Sequence, residues 1–185
     1  MTQFHDSGAS YDSLVQTKVT QLAQLMNRYG LMLSTAESCT GGWIAKCITD
    51  AAGSSSWFDT GFVTYSNQAK QRLLNVQATS LERWGAVSEP VAMEMAVGAV
   101  ANSAAQVAVS VTGIAGPGGG SDEKPVGLVY HALHWRLLAT NEAHTWPLRW
   151  QFDGDREAVR QATVLAVMEH LLQRLGALDE AKGAS

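Results

Sequence analysis

Apolar residues return every three or four positions through Leu14, Val15, Val19, Leu22, Leu25, Met26 and Tyr29, and Gly30 closes the stripe, which predicts an amphipathic helix. The period then shortens. LMLSTA is a compact apolar run that predicts a strand, followed by a helix from about Cys39 to Asp50 that Gly53 and its serines end. DTGFVTYS, with Phe62 and Val63 at its centre, predicts a second strand leading into a short helix, NQAKQRLL. After the GAVSEP turn, Pro90 suits the first turn of a long Ala- and Met-rich helix, VAMEMAVGAVANSA. QVAVSV predicts a third strand, which ends at the glycine loop TGIAGPGGGSDEKPVG, and LVYHALHW leaves that loop as a fourth. EAHTWPLRWQF alternates as a fifth strand, at a sheet edge because Pro147 cannot donate to a ladder. The chain closes on an amphipathic helix from about Gly154 to Leu175.

Helices alternating with short apolar strands predict an α/β protein, a three-layer α/β/α sandwich whose mixed sheet is parallel in its first half and antiparallel toward its end. With 185 residues, 46% of them hydrophobic, the chain is long enough for one domain with a real core. The expected boundaries are a tail over 1–13, a single domain over 14–175 and a second tail over 176–185.

Charge removes several classes of function. The net charge is −4, from 13 basic and 17 acidic residues without a long run of either sign, so there is no electrostatic footprint for nucleic acid. The sequence has no apolar run of membrane-spanning length and no signal-like start, which predicts a cytoplasmic protein without a membrane partner. Cys39 and Cys47 stand eight apart, a rise of about 12 Å on one helix, too far for a disulfide and without metal-ligand spacing. Reduced core thiols, no bound metal and no cofactor are expected.

Loops at the C-terminal ends of the strands are where such a fold carries chemistry. Three unusual segments fall there: AESCTGG, TYSNQAK and TGIAGPGGG. Ser38 stands where a strand turns into a helix. It is either an N-cap, or a nucleophile beside backbone N–H donors of Cys39, Thr40 and Gly41 that would stabilise an oxyanion. Gly41 and Gly42 allow close approach of a ligand or another backbone. None of the five histidines adjoins these loops, so a base for Ser38 is sought among the lysines, and Lys70 lies just past a strand end with Tyr65 nearby. A lysine near its ordinary value of about 10.4 is almost wholly protonated at neutral pH, so burial or a nearby cation must depress it. The glycine loop matches neither GxxxxGK[ST] nor GxGxxG, which argues against nucleoside triphosphates and dinucleotides. Arg156 and Arg160 share a helix face at i, i+4 spacing, suited to a phosphate or carboxylate, or else to a solvated surface.

TAESCTGG, GFVTYSNQAK, GAVSEPV, SVTGIAGPGGGSDEKPVG and GDREAVR together, in this order and spacing, resemble the C-terminal domain of the CinA family of competence-damage-inducible proteins. The resemblance runs from about Leu14 to Leu175. It implies a stand-alone nicotinamide-nucleotide amidase, which converts nicotinamide mononucleotide to nicotinate mononucleotide and ammonia in pyridine-nucleotide salvage. The pyrophosphatase activity of longer relatives is not implied. On this resemblance Ser38 is the expected nucleophile, Lys70 its base, Tyr65 an orienting group and Thr112 a support for lysine or substrate. Substrate contacts are expected from Cys39, Thr40, Gly41, Gly42, Asn67, Gly113, Gly116, Arg156 and Arg160. The partners expected are the small-molecule substrate and other copies of the chain. A non-catalytic nucleotide-binding or interaction module, and a cysteine amidase using Cys39, are the alternatives.

Overall fold

The computed structural model describes residues 10–136 and 142–183, with side chains as far as residue 177. Along the chain it contains α1 (Tyr11–Tyr29), β1 (Leu33–Glu37), α2 (Trp43–Thr49), a short 3-10 turn (Ser54–Ser56), β2 (Phe58–Val63), α3 (Asn67–Leu74), α4 (Ala78–Trp84), α5 (Glu89–Ala101), β3 (Val107–Gly113), β4 (Leu128–Arg136), β5 (Ala143–Gln151) and α6 (Arg156–Gly183). The strands form one sheet in the order β2-β1-β3-β4-β5. β1 is parallel to both β2 and β3, while β4 and β5 return antiparallel, as the hydrophobic pattern predicts. Pro147 lies in the edge strand β5, where a missing N–H costs no ladder bond on the outer side.

The period-two alternation of the strands divides the core between two helical layers. Leu33 of β1 and Val107, Val109 and Val111 of β3 pack with α1, α2 and α6, while Ala36 and Ala108 face α3, α4 and α5. Small residues on the second face let α5 lie close to the sheet. Ser110 donates to the carbonyl of Ala92 at 2.6 Å, and a Cβ at Gly98 would stand 1.9 Å from the carbonyl oxygen of Leu74. α5 is apolar nearly all round because it is buried against both the sheet and its neighbouring helices.

Three boundaries differ from the sequence reading. α2 begins at Trp43, not near Cys39, because Gly41 and Gly42 take left-handed conformations with φ of 63° and 92°. α4 is an additional helix, and its start is held by Glu94 of α5, which accepts from the Gln77 N–H and the Ser80 hydroxyl. α6 continues past Leu175 to Gly183, so most of the expected C-terminal tail is helix. At the other end α1 begins at Tyr11, with Ser10 as its N-cap, and residues 1–9 of the expected N-terminal tail lie outside the described residues. No helix among the described residues is long and apolar enough to cross a membrane.

Candidate active site

β1 ends on Glu37, Ser38 follows it, and the alternation carried over from the strand sends these neighbours to opposite faces of the sheet. Ser38 turns toward α3, where Lys70 reaches back from the first turns of that helix. The two side chains meet, with Lys70 Nζ 3.0 Å from Ser38 Oγ. A second bond from Nζ to the Thr64 carbonyl oxygen, at 2.8 Å, fixes the amine at the end of β2. Lys70 is 1% exposed, and burial pulls its ammonium down to about 8 from the ordinary 10.5. Among the described residues no carboxylate pairs with it. The serine therefore faces an amine that gives up its proton near neutral pH.

Glu37 points the other way, is wholly buried, and supplies the helix cap that was one of the two readings of Ser38. Its Oε2 accepts from the Thr40 hydroxyl at 2.6 Å, the Gly42 N–H at 3.1 Å and the Ile44 N–H at 3.0 Å; its Oε1 accepts from the Ala45 N–H at 2.8 Å and the Thr35 hydroxyl at 3.3 Å. The first-turn donors of α2 are thus already used. Gly41 N–H donates to the Ser38 carbonyl, so it is not a free oxyanion donor either. Among the described residues, the N–H groups of Cys39 and Thr40 donate to no oxygen and meet only the weakly accepting Cys39 sulfur. The Cys39 thiol is buried in the core, and burial pushes it up to about 12, which leaves it inert as a nucleophile.

The remaining expected residues lie around this centre. Tyr65 follows the Thr64 carbonyl and is 63% exposed; its hydroxyl accepts from Arg156 Nη2 at 3.2 Å and bonds neither Ser38 nor Lys70. Arg156 also donates through Nη1 to the Gly116 carbonyl at 2.9 Å, which ties the glycine loop to the Tyr65 segment. Thr112 is buried at the end of β3, and its hydroxyl donates to the Ala86 carbonyl at 2.8 Å, not to Lys70. Asn67 opens α3 on the exposed side, and Gly113 closes β3. Arg160 is committed to the loop it adjoins: Nη2 donates to the Thr40 carbonyl at 2.7 Å and the guanidinium sits 4.8 Å over the Trp43 ring. Lys124, within the glycine loop, donates to the Trp84 carbonyl at 2.7 Å and anchors the loop's far end. No His, Cys, Asp and Glu cluster able to hold a metal occurs among the described residues.

A mixed-sheet α/β/α sandwich with a serine and a buried lysine joined at the strand ends belongs to the α/β proteins whose sites are built from loops at a switch in strand order. The chain belongs to the CinA C-terminal domain family, whose sequence model matches residues 15–175. It is 50% identical over 163 residues to the nicotinamide-nucleotide amidohydrolase PncC of Shigella flexneri, covering 88% of this chain and 96% of that protein. The protein of the same name from Pseudomonas putida is 48% identical over 159 residues, 86% of this chain and 96% of its own length. The crystal structure of the competence/damage inducible protein CihA from Agrobacterium tumefaciens superposes with a TM-score of 0.81 at 43% identity, over 95% of this chain and 99% of that one.

Proposed function

We propose that the chain is an amidohydrolase that cleaves the carboxamide of nicotinamide mononucleotide, releasing ammonia and nicotinate mononucleotide, with Ser38 as nucleophile and Lys70 as its base. The observation that carries the mechanism is the 3.0 Å contact between a serine hydroxyl and a buried lysine with a lowered pKa. The substrate is supported by the likeness to two nicotinamide-nucleotide amidohydrolases over nearly their whole lengths. The same pair disfavours a non-catalytic module, since burying a lysine without a counter-charge costs stability and a binding fold has no need of it.

Neutral Lys70 keeps one N–H on the Thr64 carbonyl and offers its lone pair to the Ser38 hydroxyl. As Oγ attacks the carboxamide carbon, its proton passes to Nζ, and the oxyanion that forms takes hydrogen bonds from the Cys39 and Thr40 N–H groups. The C–N bond then breaks while Lys70 returns the proton to the leaving nitrogen, and ammonia departs. Water attacks the ester on Ser38 with Lys70 again as base, which frees nicotinate mononucleotide and restores the serine. Arg156 is assigned to the phosphate, since its exposed guanidinium stands between the glycine loop and Tyr65. The reaction is assigned to the cytoplasm, in keeping with the absence of a membrane-spanning helix among the described residues.

The test is product analysis with purified protein. Nicotinamide mononucleotide should yield ammonia and nicotinate mononucleotide in equal amounts, with free nicotinamide a very poor substrate. A protein that binds the nucleotide without releasing ammonia would support the binding-module alternative.

A further inference from the structure

A serine or threonine at the N-cap commonly satisfies one donor at a helix start. The five bonds to Glu37 instead span residues 35–45, so the carboxylate frames the whole Ser38–Gly42 turn as well as the start of α2. Ionised acceptors make the shorter and stronger hydrogen bonds, and a buried carboxylate is tolerated only where such donors converge on it.

Thr40 is held twice. Its hydroxyl donates to Glu37 from the side of the sheet, and its carbonyl accepts from Arg160 of α6. Those two anchors fix the orientation of the Cys39–Thr40 peptide, whose N–H meets no oxygen among the described residues and only the weakly accepting Cys39 sulfur, which a carbonyl oxygen can displace. The serine preceding it is held by its own N–H, which donates to the Val111 carbonyl at 3.0 Å. Nucleophile and oxyanion donors therefore share one short rigid turn, and the group that sets its shape lies on the opposite face from the chemistry.

We infer that Glu37 is a positioning residue for the hydrolysis, holding the Cys39 and Thr40 N–H groups toward the reacting carbonyl. The inference rests on the functional reading above. Glu37 touches neither substrate nor Lys70. It acts by setting the direction of two peptide groups, so its loss should weaken stabilisation of the transition state more than binding of the ground state.

Glu37→Gln keeps shape and volume but points an NH2 group at backbone donors, which forces the turn to shift. The expected result is a loss of about tenfold to a hundredfold in kcat per folded molecule, with KM changed by less than about threefold; an oxyanion donor lost outright costs about 10²–10³. A role in folding alone would lower the melting temperature while leaving kcat per folded molecule unchanged, and that result overturns the inference. Thr40→Val, which keeps the N–H but removes the shortest bond to the carboxylate, should lose about threefold to tenfold in kcat. If Glu37→Gln does not fold, Thr40→Val decides, and an unaltered kcat there overturns the inference. Wild type that releases no ammonia sinks the functional reading and this inference together, whereas active wild type with an unimpaired Glu37→Gln sinks this inference alone.

Discussion

Lys70 Nζ stands 3.0 Å from Ser38 Oγ and 2.8 Å from the Thr64 carbonyl oxygen, so one buried amine joins the ends of β1 and β2. The two bonds divide its work. The carbonyl can only accept, which holds an N–H in place, and the serine contact is left for the proton that moves. Burial sets when it moves, since the ammonium loses its proton at about 8 rather than 10.5.

Activity should follow the neutral amine. The dependence of kcat/KM on pH is expected to rise about tenfold per unit below pH 8 and to level off above it, because only deprotonated Lys70 accepts the serine proton. A profile flat between pH 6 and 9, measured under saturating and sub-saturating substrate, would point to a fixed cation instead.

The same burial carries a stability cost. An unfolded lysine binds a proton up to its ordinary 10.5, the folded one only to about 8, so the cost is fully present below pH 8 and is removed as pH rises from 8 to 10.5. Lys70→Met should therefore be inactive yet more stable at pH 7, by about 1–2 kcal/mol once the two lost hydrogen bonds are set against the relieved charge. Its advantage should shrink between pH 8 and 10.5 in denaturant titrations. A destabilised Lys70→Met at pH 7 would show that the amine is better satisfied than this account holds.

Arg156 and Arg160 share a helix face but differ in what they touch. Arg160 is bound to the Thr40 carbonyl and Trp43, so Arg160→Ala should lower kcat for the mononucleotide and its riboside by the same factor. Arg156→Ala should lower kcat/KM for the mononucleotide by about tenfold to a hundredfold, as expected for one charge-assisted contact, and leave the riboside almost unchanged. Equal turnover of mononucleotide and riboside by wild type would remove the phosphate contact from the account.

Element order and the parallel-to-antiparallel sheet are legible in the sequence, because apolar periodicity is a local signal; the loops at strand ends mark Ser38 and Lys70 as candidates, and only the family resemblance pairs them. What was not legible depends on distant partners. α4 is a short helix whose start is held by Glu94, on the next helix, so no local cap announces it. Glu37 carries no local signal of its role, and only the fold shows that its carboxylate, and not the Ser38 hydroxyl, caps α2. The consecutive Gly41 and Gly42 are the sequence clue that the helix starts later, and the structure shows both in left-handed conformations. Thr64 contributes a backbone carbonyl, which carries no side-chain signal at all.

The nucleophile is the centre of the account, and parallel measurement of ammonia release by wild type, Ser38→Ala and Cys39→Ala tests it most directly. Loss of the attacking oxygen should lower kcat by at least about 10⁴ while the variant still folds and binds nicotinamide mononucleotide, as removal of a nucleophile in a serine hydrolase does. Cys39→Ala should stay within about threefold of wild type, since its thiol is buried and held protonated. Turnover that survives in Ser38→Ala, or is lost in a folded Cys39→Ala, would contradict the account.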